Sequence, residues 1–288
     1  MLHVRSDYET VIRPTKGWLN VDFAGLWNYR DLLGVLVHRD FVARYKQTVL
    51  GPLWAIIQPL MTTLVFAVVF GGIAGIPTDG VPPFLFYLTG LLGWNFFANT
   101  FTGASNSLAA NVGIFGKVYF PRLVVPISTV VSGFIALGIQ LLTFLPVWIY
   151  YVAFTPAGGA IDVSWLNLIV LTPLVLLQIA LLALGSGLWM SALTAKYRDF
   201  AFLAGFLVQL WMYATPVIYP LSAVPARWRW VAAINPMTVP IDAIKMMFLG
   251  QGSVEPLHVV LSLAMTAAIL LGGLVVFSRV ERTFIDTV

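Results

Sequence analysis

The sequence predicts an all-α polytopic membrane protein. Six transmembrane helices follow a cytoplasmic N-terminal interfacial helix, and outer re-entrant helices lie between spans five and six. Three observations lead there: long stretches without charge, a composition too apolar for water, and basic residues gathered on alternate connections. The 288-residue chain has six charge-free gaps, at 47–78, 80–116, 123–161, 163–195, 200–226 and 256–278. Even the shortest of these exceeds the roughly 20 apolar helical residues needed to cross a hydrocarbon core. A charge at the centre of a bilayer is costly, so its absence marks these stretches as spans.

Composition agrees. Hydrophobic residues make up 59% of the chain and charged ones 10%, with a mean hydropathy of +0.90. Soluble domains carry about 25% charged residues, so a water-soluble fold is excluded. There is no cysteine, which removes disulfides, thiolate chemistry and Cys-ligated metal. Of the 16 Lys and Arg residues, all but Arg227, Arg229 and Lys245 fall on one side if each gap spans once. The positive-inside rule then puts both termini in the cytoplasm, as an even number of spans requires, in a bacterial inner membrane. The net charge of +4 reads as topology and contact with anionic headgroups, not as nucleic-acid binding.

Taken in order, residues 1–50 form a cytoplasmic N-terminal region and 51–288 a six-span transmembrane domain. Residues 1–22 are polar and irregular, and 23–50 look helical and interfacial. About 50 polar-to-mixed residues precede the first gap, so the first span is expected to act as its own insertion signal. Gly51-Pro52 stops the interfacial helix, and Pro52 starts span one, about 52–74. Span two follows Pro82-Pro83 and reaches about 107, and 108–122 is an inner loop. Span three, about 123–153, holds Pro126 and Pro146, which predict a kink. Span four, about 165–194, carries Ala183, Gly185, Gly187 and Ser191, small residues that permit close helix packing. An inner turn at 195–199 leads to span five, about 200–219. Residues 220–255 are broken by Asn235-Pro236 and Pro240 and read as short outer helices dipping into the membrane. Span six, about 256–278, returns to the cytoplasm.

Several strings, in order, carry a resemblance. RDFVARYKQTVLGPLWAIIQP (39–59) leads into span one, GKVYFPRLVVP (116–126) forms the first inner loop, and LWMSALTAKYRDF (188–200) the second. QLWMYATPVIYP (209–220) ends span five, INPMTVPIDAIK (234–245) lies in the outer segment, and Glu281, Phe284 and Asp286 mark an acidic-aromatic tail. Together, over about residues 25–288, they resemble the membrane subunits of ABC-type polysaccharide exporters, the permeases that move O-antigen and related glycans. The resemblance implies a separate ABC ATPase subunit that carries ATP and Mg, leaving no cofactor on this chain. It also implies a homodimer of this chain in a two-plus-two complex, and a lipid-linked polysaccharide as substrate among membrane lipids.

The resemblance makes the first inner loop a coupling helix seated in the ATPase. Phe115, Lys117, Tyr119, Phe120 and Arg122 there would present an aromatic knob beside two cations. Arg39, Asp40, Arg44, Tyr45 and Lys46 before span one, and Lys196, Arg198 and Asp199 in the second inner turn, complete the implied ATPase contact. A plain amphipathic turn resting on headgroups accounts for the same residues. GIFGK (113–117) looks like a phosphate loop, but Asn111 replaces its first glycine and Val118 follows the lysine. No nucleotide site, and hence no ATP hydrolysis, is expected here.

Aromatics reach 14% and gather near span ends, which an interfacial belt explains for the most part. Tyr87, Trp94, Phe97, Trp211, Tyr213 and Tyr219 are candidates for lining a channel and stacking on sugar rings. His3, His38 and His258 are not at metal-ligand spacing, and Asp242 and Lys245 stand i, i+3 and could pair locally. The sequence therefore reads as a channel-forming permease. An ABC-type exporter of drugs or small lipids remains an alternative. So does a membrane enzyme on polyprenyl-linked sugars, which would need acidic or His residues that the spans lack.

Overall fold

A computed structural model describes residues 23–284, apart from 116, 117, 119, 162 and 253. The expectations for residues 1–22, Lys117, Tyr119 and Asp286 lie outside the described residues. Every regular element among those described is helical.

Helix α1 (Phe23–Asn28) leads into α2 (Arg30–Tyr45), over the stretch expected to be helical and to lie at the interface. Its mixed apolar face buries Leu36 and Val37, and Leu36 packs with Phe120, Val124 and Val125. Gly51, at φ +52, and Pro52 open a short 3-10 turn that runs into α3 (Trp54–Phe66). The helix continues as a π-helical stretch through Ala67–Ile73. Helix α4 (Pro83–Ser105) starts on a proline whose missing N–H leaves nothing unbonded in the first turn. Two single turns, α5 (Ser107–Ala110) and α6 (Val112–Phe115), make the inner loop. Helix α7 (Val124–Phe154) follows. Pro126 sits in its first turn, where no intrahelical bond is lost, and Pro146 lies in its interior.

Helix α8 (Trp165–Lys196) is followed by α9 (Asp199–Ala214), then by the short α10 (Arg229–Ile234) and α11 (Thr238–Leu249), and α12 (Pro256–Phe284) ends the described chain. The break expected at Pro240 does not occur. That proline occupies the first turn of α11, and the interruption falls at Asn235-Pro236 alone. Gly250, at φ +66, closes α11 in the left-handed conformation with its N–H on the Met246 carbonyl.

Helix α4 is the centre of the molecule. Most of it is buried, against α8, α7, α11, α3 and α9. Close approach depends on the small residues expected in α8. A Cβ at Gly185 would stand 2.6 Å from the Leu270 Cα, and one at Gly187 would stand 2.5 Å from the Ala104 Cβ. Ser191 Oγ meets Ser107 Oγ at 3.0 Å across the same seam.

Four helical stretches among the described residues are long and apolar enough to cross a membrane: Gly51–Ile73, Val124–Phe154, Trp165–Lys196 and Pro256–Glu281. These correspond to the expected spans one, three, four and six. The other two expected spans differ for separate reasons. Helix α4 has 23 residues but includes Thr89, Asn95, Asn99, Thr100 and Thr102; protein encloses Thr89 and Thr100, whereas Asn99 and Thr102 are exposed. Helix α9 is apolar but only 16 residues long.

Candidate functional site

At one end of the helices, the end expected to face the cytoplasm, α2, the loop after α4 and the end of α12 are tied together by two arginines. Arg39 lies one turn beyond the buried Leu36, which sets its side chain over the inner loop. Its Nη1 donates to Asn111 Oδ1 at 3.0 Å, while Nε and Nη2 donate to Asp40 Oδ1 at 3.1 and 2.8 Å. Asn111 in turn donates from Nδ2 to the Ser107 carbonyl at 2.9 Å. Asn111 thus has a structural task that the sequence did not disclose, beyond ruling out a phosphate loop.

Arg122 is the second tie. It is buried, its guanidinium stands 5.5 Å from the Phe115 ring, and Nη1 donates to the carbonyl of Glu281. Its backbone N–H donates to Glu281 Oε1 at 3.2 Å. Phe120 is buried too, 5.5 Å from the Phe115 ring. Phe120 and Arg122 are therefore not an exposed knob. Phe120 packs with Leu36 of α2, and Arg122 bonds Glu281 of α12. Phe115 is half-buried with them.

The expected contact residues that do face outward are Arg44 and Lys46 at the end of α2, and Lys196, Arg198 and Asp199 between α8 and α9. Lys196 Nζ lies 5.2 Å from the exposed Tyr197 ring. Tyr45 is half-buried, 5.0 Å from Phe41. Val118, which sequence reasoning passed over, is 57% exposed on the first inner loop.

The outer segment is fastened at several points. Asn235 is the hub. Its Oδ1 accepts from Trp211 Nε1 at 2.8 Å and from the Met237 N–H at 3.0 Å. Its Nδ2 donates to the Ala214 carbonyl at 3.1 Å and to Thr215 Oγ1 at 2.9 Å. Every bonding position of one amide side chain thus joins the end of α9 to the start of α11. Gln178 Nε2 donates to Ser262 Oγ, and Ser262 Oγ to the Pro236 carbonyl, at 2.7 and 2.8 Å. At the far end of α11, Trp148 Nε1 donates to the Phe248 carbonyl at 2.6 Å.

Lys245 completes the fastening. Local pairing with Asp242 was one expectation. Its Nζ reaches the carbonyls of Pro216, Val217 and Tyr219 at 2.5, 3.3 and 3.4 Å and stands 3.7 Å from the Phe86 ring, and the Asp242 carboxylate is near enough to attract it. These carbonyls have left the α9 helix, so an ammonium replaces the helical N–H groups they lack. Gly90 makes room: a Cβ there would lie 3.2 Å from Lys245 Cε and 3.0 Å from the Val217 carbonyl oxygen.

The aromatic candidates require a correction. Tyr87, Trp94 and Phe97 are core residues, 0%, 3% and 0% exposed. Helix α4 is enclosed by its neighbours, so its rings meet other rings: Trp94 to Phe97 at 5.4 Å and Phe97 to Trp211 at 4.9 Å. Of the six, Tyr213 is exposed, and Trp211 and Tyr219 are half-buried. Tyr219 donates its hydroxyl to the Tyr213 carbonyl at 3.2 Å.

The profile of the family described as "ABC-2 type transporter" matches residues 31–249. An "O-antigen export system permease protein RfbA" from Klebsiella pneumoniae is 29% identical over 257 residues, covering 89% of this chain and 94% of the relative. One of the same name from Myxococcus xanthus is 30% identical over 215 residues, 74% of this chain and 78% of its own length. A "Polysialic acid transport protein KpsM" from Escherichia coli is 25% identical, covering 69% of this chain and 74% of the relative.

Proposed function

This chain belongs to the ABC-2 type transporter family, and from that premise we propose that it is the channel-forming permease of an ATP-driven exporter of a lipid-linked, O-antigen-like polysaccharide. The observation that carries the reading is full-length kinship: the RfbA relative named above aligns over 94% of its own length. ATP and Mg bind a separate ATPase subunit. Two copies of this chain face each other around the glycan path, and each engages one ATPase. Arg44, Lys46, Lys196, Arg198 and Asp199 are exposed and offer charges to that partner.

In this reading six helices span the membrane. Helices α4 and α9 join the four longer apolar ones, and both termini lie in the cytoplasm. Helix α11 has 12 residues, about 18 Å of helix, which is short of a core about 30 Å thick. It enters the outer leaflet and returns. Its irregular flanks are tolerable there because Asn235, Ser262 and Lys245 bond the freed backbone groups.

Reconstitution tests the function. Vesicles holding this chain and its ATPase are expected to carry a lipid-linked glycan across the bilayer on addition of MgATP, and vesicles with this chain alone are not. Export by the chain without any ATPase, or none with it, would refute the reading. Topology is tested separately, in a chain that has no cysteine of its own. Ser222→Cys and Glu255→Cys are exposed positions and should react with an impermeant thiol reagent from outside, and Arg198→Cys only from inside. Labelling of Ser222→Cys and Glu255→Cys from opposite sides would end the re-entrant assignment.

A further inference from the structure

Above the start of α11 lies a cavity of about 230 Å³. One water needs roughly 10–15 Å³ on such a measure, so the space suits a small organic ring. Thr238 and Asp242, four residues apart on one face of α11, form one wall. Arg229 at the head of α10 and Glu255 and His258 at the head of α12 form the others, above the aliphatic Val239.

Two features set this cavity apart from a packing defect. Asp242 is only 3% exposed, a carboxylate placed deep in the wall. Thr238 is also 3% exposed, and its Oγ1 has no hydrogen-bond partner. Buried hydroxyls are nearly always bonded, and an orphan at a cavity wall calls for a ligand or a water.

The lining also points to a chemical class. Carboxylates stand beside a guanidinium and an imidazole, and His258 Nδ1 is already 3.7 Å from Glu255 Oε2. A cation would leave Arg229 facing it, and an anion would face Asp242 and Glu255. A neutral polyol meets both signs, since each hydroxyl donates to a carboxylate and accepts from an N–H. Val239 and Val254 supply an apolar floor for a C–H face.

We propose that this cavity binds a single neutral pyranose unit of the exported glycan, held by Asp242 and Thr238. The proposal rests on the exporter reading for its substrate. It locates a sugar contact on hydrogen-bonding groups of the outer segment, apart from the aromatic candidates.

The test uses the full chain in lipid nanodiscs, with D-galactose, D-mannose and N-acetylglucosamine as probes and N-acetylneuraminate as the anionic control. Equilibrium dialysis should show saturable binding of at least one neutral sugar and none of the control. Asp242→Asn is expected to weaken that binding about tenfold and Thr238→Val severalfold. Should Asp242→Asn fail to fold, Ala233→Phe at the half-buried rim blocks the cavity from a more tolerant position and should abolish binding. Absence of saturable binding by any of the three sugars overturns the proposal and leaves water as the occupant. So does binding unchanged in Ala233→Phe, or preferential binding of N-acetylneuraminate. Export is measured in parallel: export without sugar binding sinks the cavity and spares the exporter. Sugar binding that Ala233→Phe removes, without export, supports the site and sinks the exporter reading.

Discussion

Lys245→Met is expected to unfasten the outer segment and lower the stability of the purified protein by on the order of 3 kcal/mol. Two effects compete. Removing a buried ammonium relieves its desolvation, which favours the variant. Against that, the carbonyls of Pro216, Val217 and Tyr219 lose their donor, and each orphaned buried carbonyl costs about 1–3 kcal/mol. The contact with the Phe86 ring is lost as well. The three carbonyls, together with the buried Asp242 carboxylate left without the cation beside it, outweigh the desolvation of one ammonium, because methionine fills the volume without bonding anything. Lys245→Glu should be worse, since it turns an acceptor toward three acceptors. Thermal unfolding in detergent reads both variants. A melting temperature equal to the parent's in Lys245→Met would show that the carbonyls are not held by this side chain.

Charge reversal on the inner turn is expected to give the second large effect. Lys196→Glu combined with Arg198→Glu should weaken the complex with the ATPase about tenfold or more and abolish ATP-driven export, with the fold unchanged. Both side chains are exposed, so nothing inside the protein depends on them. Arg122→Ala is the contrasting variant. Its guanidinium is buried on Glu281 and Phe115, so its loss should lower the melting temperature first, and weaken assembly only through a disordered loop. Pull-down by the tagged ATPase, paired with melting curves, separates the two. Unchanged assembly in the double reversal would remove the inner turn from the interface.

What the sequence disclosed here was governed by solvent preference, and what it hid was governed by partners. Charge-free gaps located the long apolar helices, because the cost of a charge in lipid is the same wherever the helix packs. Ala183, Gly185, Gly187 and Ser191 announced close packing, since little else tolerates a neighbouring backbone at that range. The break at Asn235-Pro236 was legible from proline chemistry, but Pro240 was misjudged because its position within a helix decides its effect.

Side-chain direction was the part that did not show. Arg122 and Phe120 read as part of an exposed coupling loop, and only distant helices explain why they are covered: Arg122 bonds Glu281 of α12, and Phe120 packs with Leu36 of α2. Tyr87, Trp94 and Phe97 read as possible channel residues, yet an aromatic on the enclosed face of a helix looks no different in sequence from one lining a pore. Lys245 had one usable signal: a lone cation in an apolar helix, downstream of the Thr215-Pro216 break whose carbonyls it could bond.

The uneven burial of the helices has a mechanical consequence. Helix α3 buries only Thr63, and α9 only Ala204, whereas α4 is enclosed almost throughout. Displacing α4 would strip interlocked side chains from five neighbours, whereas α3 and α9 touch the core along one half-buried face only. Helix α9 ends in the exposed turn at 195–199 on one side and is held by the Asn235 amide on the other. A push on that turn therefore has far fewer interlocked side chains to displace along α9 than the same push would meet along α4.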